Sequence, residues 1–69
     1  MKVSARNSIP ATVRAIEMGA VNAEVTLEVA PGLEVVSVIT KEAVENLGLK
    51  PGRRAYAIIK ASSVMVGVE

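Results

Sequence analysis

The chain has 69 residues, of which 51% are hydrophobic and 22% charged, and its formal net charge is +1 at pH 7. It contains no Cys, His, Trp or Phe, and every one of its seven acidic residues is Glu. This composition excludes a disulfide scaffold, Cys- or His-based metal sites and a histidine general base, and the near-neutral charge argues against a nucleic-acid or membrane-surface partner.

The length predicts one domain over residues 1–69. No uninterrupted apolar stretch of about 18 residues is present, so no segment is expected to span a bilayer. The first residues lack the apolar run of a secretory signal, and with no Cys present we expect a cytoplasmic location. A chain this short that is half apolar and nearly free of aromatic residues cannot bury its Val, Ile and Ala side chains alone, which predicts a homo-oligomer.

Three strands are predicted before residue 40. Residues 11–18 and 23–29 alternate between two faces, and the short link Gly19–Asn22 between them favours a hairpin. Ala30-Pro31-Gly32 has the composition of a turn. The near-continuous apolar run over Leu33–Ile39 then indicates a third strand buried on both faces, as at a subunit contact.

One short helix is predicted over residues 40–48, with Thr40 as its cap, Glu42 in its positive first turn and Gly48 at its end. A turn at Pro51-Gly52 precedes two further strands, predicted over residues 55–60 and 64–68. Five to six short strands with one helix predict an all-β fold, a small OB-like Greek-key barrel whose closure leaves no free sheet edge.

Catalysis is not supported by the polar residues. Glu, Lys and Tyr56 are the only side chains in the sequence that could serve as a general acid or base. Ser62 lies two residues after Lys60, but this spacing is more typical of a strand end than of a Ser–Lys nucleophile pair. No glycine-rich phosphate loop occurs, so we expect neither catalytic residues nor a cofactor. Single-stranded nucleic acid is also disfavoured, because Tyr56 is the sole aromatic residue on which a base could stack.

Small-anion binding fits the sequence better. An oxyanion site needs main-chain N–H groups, hydroxyls and one or two positive charges, and three segments offer them: Ser4-Ala5-Arg6-Asn7, Thr40 at the helix start, and Lys60-Ala61-Ser62. Composition alone favours an alternative to anion binding. In that alternative Thr40 is only a helix cap, Arg6 is a solvated charge and Lys60 is the end of a strand.

The same segments resemble the Mop-domain family, whose free-standing members of about this length are the molbindins. The matching motifs are Ser4-Ala5-Arg6-Asn7, Val38-Ile39-Thr40 leading into residues 47–52, and Ile58-Ile59-Lys60-Ala61-Ser62. Their order and spacing match over essentially the whole chain. The resemblance implies an OB-like barrel that forms a hexamer, a trimer of dimers, and binds molybdate or tungstate at subunit interfaces to store or buffer the oxyanion.

The resemblance also implies the ligand residues, which are carried over by position: Ser4, Ala5, Arg6, Thr40, Ala43, Lys60, Ala61 and Ser62. Some relatives have a hydroxyl residue in place of Ala43, so a contact there must be made by its main chain. A second anion site at a symmetry axis is expected at the hairpin residues Gly19, Ala20, Val21 and Asn22. No direct metal ligands are expected, because the metal arrives already bound to oxygen.

Two other functions stay open at this point. One is a molybdate-sensing or oligomerisation module for a transport or regulatory partner, and the other is an OB-type nucleic-acid-binding module. The first would be a module of the same family, whereas the second rests on fold analogy alone, and one fold supports many unrelated functions.

Overall fold

The computed structural model describes residues 1–69 and consists mainly of β-strands. In chain order its elements are β1 (Asn7–Met18), β2 (Asn22–Ala30), β3 (Leu33–Thr40), α1 (Lys41–Leu47), β4 (Arg54–Ile59) and a 3-10 helix (Ala61–Ser63). The four strands form one antiparallel sheet in the order β3-β2-β1-β4. Because the fourth strand returns to lie beside the first, this is a Greek key, and the predicted all-β, OB-like arrangement is confirmed.

The long strand β1 joins two halves of the sheet. Residues 7–12 pair with β4, and residues 12–18 pair with β2. A bulge between Val13 and Ala15 lies just after the change of partner, where it bends the strand. β1 starts earlier than the predicted residue 11, because its first residues find a partner in β4. Pro10, which has no N–H to donate, is tolerated there since that part of β1 has a neighbour on one side only.

The local predictions for helix and turns are confirmed. Thr40 caps α1 with extended backbone angles, and Gly48 ends it in the left-handed region at φ 63°. Gly32 and Gly52 also have positive φ angles, 75° and 93°, in the two turns that the sequence predicted.

The core is small for the length of the chain. Seven of the 69 residues are buried, and all are aliphatic: Ala11, Val13, Ala23, Val25, Leu27, Val44 and Ala57. Fourteen large hydrophobic side chains are exposed, among them Val36 and Val38 on the outer face of β3. The prediction that both faces of β3 are buried is therefore not met within one chain.

The predicted barrel is not closed within one chain. There are four strands, whereas the sequence predicted five to six, and residues 64–68 follow the 3-10 helix without forming a strand. β3 and β4 are the two edges of the sheet and do not pair with each other. The physical reason is that a strand forms only where its N–H and C=O groups find a neighbour, and residues 64–68 have none in this chain.

Candidate oxyanion site

Thr40 and the start of α1 form one group of candidate donors. The Thr40 hydroxyl oxygen accepts a hydrogen bond from the main-chain N–H of Ala43 at 3.0 Å, and the N–H of Lys41 donates to the Val21 carbonyl at 2.9 Å. The Ala43 N–H is thus already used by the cap. An anion at this end would meet the hydroxyl hydrogen of Thr40, which the cap leaves free to donate.

The other candidate donors lie together where β1 begins and β4 ends. Asn7 is paired with Ile59, so Ser4-Ala5-Arg6 precedes this pair on one strand and Lys60-Ala61-Ser62 follows it on the other. Ala5 is half-buried, and the other five of these six residues are exposed. The register therefore brings two of the three predicted segments to one end of the sheet.

The Asn7 side chain links these two segments by a hydrogen bond. Its side-chain Nδ2 donates to the Ile59 carbonyl at 3.2 Å, in addition to the pairing of the two main chains. Asn7 is half-buried, unlike its neighbour Arg6. The sequence did not single it out as a site residue, although it is the last residue of the Ser4-Ala5-Arg6-Asn7 motif. We assign it a positioning role.

Both basic residues at this end are free of ion pairs. Arg14 is the one basic residue with a carboxylate oxygen within 4.0 Å, through Glu28 at 3.4 Å and Glu34 at 4.0 Å. Arg6 and Lys60 therefore present two positive charges that no carboxylate of the same chain neutralises. This is the charge that an incoming dianion needs.

The two groups of donors lie at opposite ends of the sheet. Thr40 is paired with Asn22 at the start of β2, next to the end of β1, whereas Lys60 follows the partner of Asn7 at the beginning of β1. The predicted donor set therefore does not form one pocket within a single chain.

The hairpin Gly19–Asn22 lies at the same end as Thr40. The Gly19 N–H donates to the Asn22 carbonyl at 2.8 Å, which closes the turn. A shallow cleft of about 280 Å³ beside it is lined by Gly19 and Asn22 but also by Glu17 and Glu24, which are directly paired across β1 and β2. Two carboxylates oppose an anion in this cleft, while Ala20 and Val21 do not line it, so the arrangement within one chain disfavours the second site predicted there.

An apolar groove lies between β3, β4 and α1, and we call it the β3–β4 groove. Its volume is about 580 Å³, and 13 of its 16 lining residues are hydrophobic. Arg53 and Arg54 line it, but none of the eight residues predicted to bind the oxyanion does. It therefore offers a surface for apolar contacts, and the residues predicted to bind the oxyanion lie outside it.

The structure has no group of three or more His, Cys, Asp or Glu side chains placed to hold a metal ion. None of its helices has both the length and the apolar character needed to cross a membrane.

Comparisons with known proteins extend over nearly the whole chain. Residues 3–66 match the TOBE domain family. The probable molybdenum-pterin-binding protein of Haemophilus influenzae is 51% identical to the chain over 69 residues, with 100% of both proteins covered.

Two solved structures share the fold. The cytoplasmic molybdate-binding protein ModG, in a form with molybdate bound, has a TM-score of 0.93 and 58% identity, with 100% of this chain and 49% of that chain covered. A molybdate-binding protein from Sporomusa ovata has a TM-score of 0.91 and 38% identity, with 99% and 100% covered.

Proposed function

The chain belongs to the TOBE domain family, and from this premise we propose that it binds molybdate as a non-enzymatic store or buffer of the oxyanion in the cytoplasm. The resemblance to the Mop-domain family is confirmed by relatives that are themselves molybdenum-pterin-binding or molybdate-binding proteins. A sensing or nucleic-acid-binding module is not favoured by any of these relatives.

The observation that carries the proposal is the division of the donor set. Arg6 and Lys60 supply positive charge at one end of the sheet, and Thr40 supplies a hydroxyl at the other. The two ends can face the same anion only if they belong to different copies of the chain. We therefore propose that the binding site lies between subunits, with Ser4, Ala5, Arg6, Lys60, Ala61 and Ser62 from one copy. A neighbour would supply the Thr40 hydroxyl, which the Ala43 N–H holds in place.

The apolar surface supports an assembly of several copies. With seven buried residues and fourteen exposed large hydrophobic side chains, the single chain leaves most of its apolar surface in water. Association would remove that surface at a gain of about 25 cal/mol per Å². We propose the hexamer, a trimer of dimers, in which each copy meets more than one neighbour and can use both ends of its sheet.

Ion selectivity in such a pocket depends on size. Molybdate and tungstate are both tetrahedral dianions held by N–H and O–H donors, so we expect similar affinities for the two. Sulfate carries the same charge on a smaller tetrahedron. Donors spaced for the larger ions reach it less well, and longer hydrogen bonds are weaker. We expect sulfate to bind much more weakly.

Native mass spectrometry with and without molybdate tests the proposal directly, because it counts subunits and bound ions in one measurement. We expect an oligomer that retains molybdate and a parallel titration calorimetry series in which tungstate matches molybdate and sulfate does not. A single-chain species that retains no oxyanion at millimolar molybdate would contradict the proposed function. Equal affinity for sulfate would contradict the size argument alone.

A further inference from the structure

The charges of the chain are divided between two halves of the molecule, although its net charge is only +1. Residues 1–12 and 48–63, which include β4 and the part of β1 that pairs with it, contain six of the eight basic residues and none of the seven acidic ones. Residues 13–47, which include β2, β3 and α1, contain the other two basic residues and six acidic ones. The half of the sheet built by β1 and β4 is therefore strongly basic.

The outer face of this basic half has an apolar centre. Pro10 on β1 is paired with Tyr56 on β4, and both residues are exposed. Ile58 lies two residues farther along β4 and faces the same side, because side chains alternate along a strand. Tyr56 and Ile58 are 52% and 45% exposed. Since Tyr56 is the sole aromatic residue of the chain, its largest flat side chain lies on this face.

Basic residues lie at both ends of the apolar centre. Arg54 is exposed at the start of β4, and Lys60 follows the other end of β4 with an extended backbone at φ −61° and ψ 130°. Arg6 precedes the residue of β1 that pairs with the end of β4. None of these three basic residues has a carboxylate within 4.0 Å. We call this surface the β1–β4 face, and its members are Arg6, Pro10, Arg54, Tyr56, Ile58 and Lys60.

The chemistry of the β1–β4 face favours an acidic polypeptide as its partner. Tyr and Arg are enriched in protein interfaces, where a central aromatic anchor contributes much of the binding energy. A single-stranded nucleic acid instead stacks successive bases on several aromatic side chains, and this face has only Tyr56. The distance from Arg54 to Lys60 is about 20 Å along an extended chain. An extended segment of about seven residues with carboxylates at both ends therefore matches the face in length and charge.

We propose that the β1–β4 face docks a short acidic segment of another protein, with carboxylates at both ends of an apolar centre, and that this docking displaces the bound oxyanion. The displacement rests on the proposed function, in which Arg6 and Lys60 hold molybdate. A carboxylate of the partner and the dianion use the same two positive charges, so each weakens the binding of the other by the same factor. The acidic segment is then a release signal for stored molybdate.

A synthetic peptide tests the docking. The probe is a fluorescent seven-residue peptide with two glutamates at each end and leucine, valine and leucine between them, and its binding is measured by fluorescence anisotropy. The matched control peptide has glutamine in place of every glutamate. We expect only the acidic peptide to bind, and its affinity to fall as salt is added, because salt screens interactions between exposed charges.

Two substitutions locate the peptide on the face. Arg54→Gln should weaken peptide binding by up to about fivefold, the size of an exposed ion pair, and Tyr56→Ala by about tenfold through loss of the central anchor. Both residues are exposed, so neither change removes a core side chain. Lys41→Gln is the matched control, because Lys41 also lacks a carboxylate within 4.0 Å but lies on α1 in the acidic half. Equal effects of Arg54→Gln and Lys41→Gln would overturn the proposal.

Competition with molybdate tests the displacement. Saturating molybdate should weaken peptide binding by about fivefold, since the anion then occupies the charges at one end of the face. Saturating peptide should weaken molybdate binding by the same factor in titration calorimetry.

The remaining outcomes separate this proposal from the proposed function. Peptide affinity that does not change with molybdate would overturn the displacement, while molybdate binding in calorimetry would leave the proposed function standing. Absence of peptide binding, or equally tight binding of the glutamine peptide or of an eight-nucleotide oligothymidylate, would overturn the docking. Failure of molybdate itself to bind would contradict the proposed function and the displacement together, and the two peptides would still decide the docking.

Discussion

Replacement of Lys60 by alanine tests the proposed site most directly. Lys60 is exposed and has no carboxylate within 4.0 Å, so its removal takes no ion pair from the fold. Two unit charges 4 Å apart interact by about 4 kcal/mol at an effective dielectric constant of 20, and truncation of one partner of a desolvated pair costs about 2–5 kcal/mol. Because Arg6 remains to face the dianion, we expect a loss of about 2–3 kcal/mol.

That loss corresponds to a molybdate affinity about 30- to 150-fold weaker. Titration calorimetry at fixed ionic strength measures it, with native mass spectrometry to verify that the oligomer is intact. Lys50→Ala is the matched control, since Lys50 is also exposed and unpaired but lies on the turn before β4. Lys60→Arg should recover most of the affinity by keeping the charge. Equal affinities for the two alanine variants would refute the assignment of Lys60 to the site.

Three further substitutions probe the fold and the other donors. Thr40→Ala should lower the free energy of unfolding by about 1 kcal/mol through loss of the helix cap. Thr40→Ser should restore both the stability and the molybdate affinity. An unchanged free energy of unfolding of Thr40→Ala in a urea titration would contradict the role of Thr40 as a cap. Asn7→Ala should weaken molybdate binding severalfold, because Arg6 is then no longer held near the end of β4. Asn22→Ala is the control, and equal molybdate affinities of the two variants in calorimetry would contradict the positioning role of Asn7. Gly48→Ala should cost about 1 kcal/mol, because a side chain is disfavoured at φ 63°, and unchanged thermal stability would contradict that reading.

The elements that depend on neighbouring residues in the sequence could be predicted. The cap at Thr40, the end of α1 at Gly48 and the turn at Gly32 each follow from a local preference of one side chain or one backbone angle. The hairpin between β1 and β2 follows from two alternating runs with a short link. These features need no information from distant parts of the chain.

The features that depend on distant partners could not be predicted in the same way. The first residues of β1 are strand because β4, about fifty residues later, pairs with them. The bond from Asn7 to Ile59 has the same origin, and the sequence gives no sign of it beyond a polar residue in a motif. The strand predicted over residues 64–68 has the right composition, but no edge in its own chain pairs with it.

The candidate site also depends on distant partners, and its proposed position between two copies has a thermodynamic consequence. A pocket made by two copies does not exist in the separated chain, so every molybdate bound there favours the assembled state. A ligand present at 100 times its dissociation constant stabilises the state that binds it by about 2.7 kcal/mol per site. That is similar to the hydrophobic gain from burying about 100 Å² of apolar surface. Oxyanion binding and subunit association are therefore two parts of one equilibrium in the proposed mechanism, and the exposed apolar side chains and the divided donor set have a common explanation.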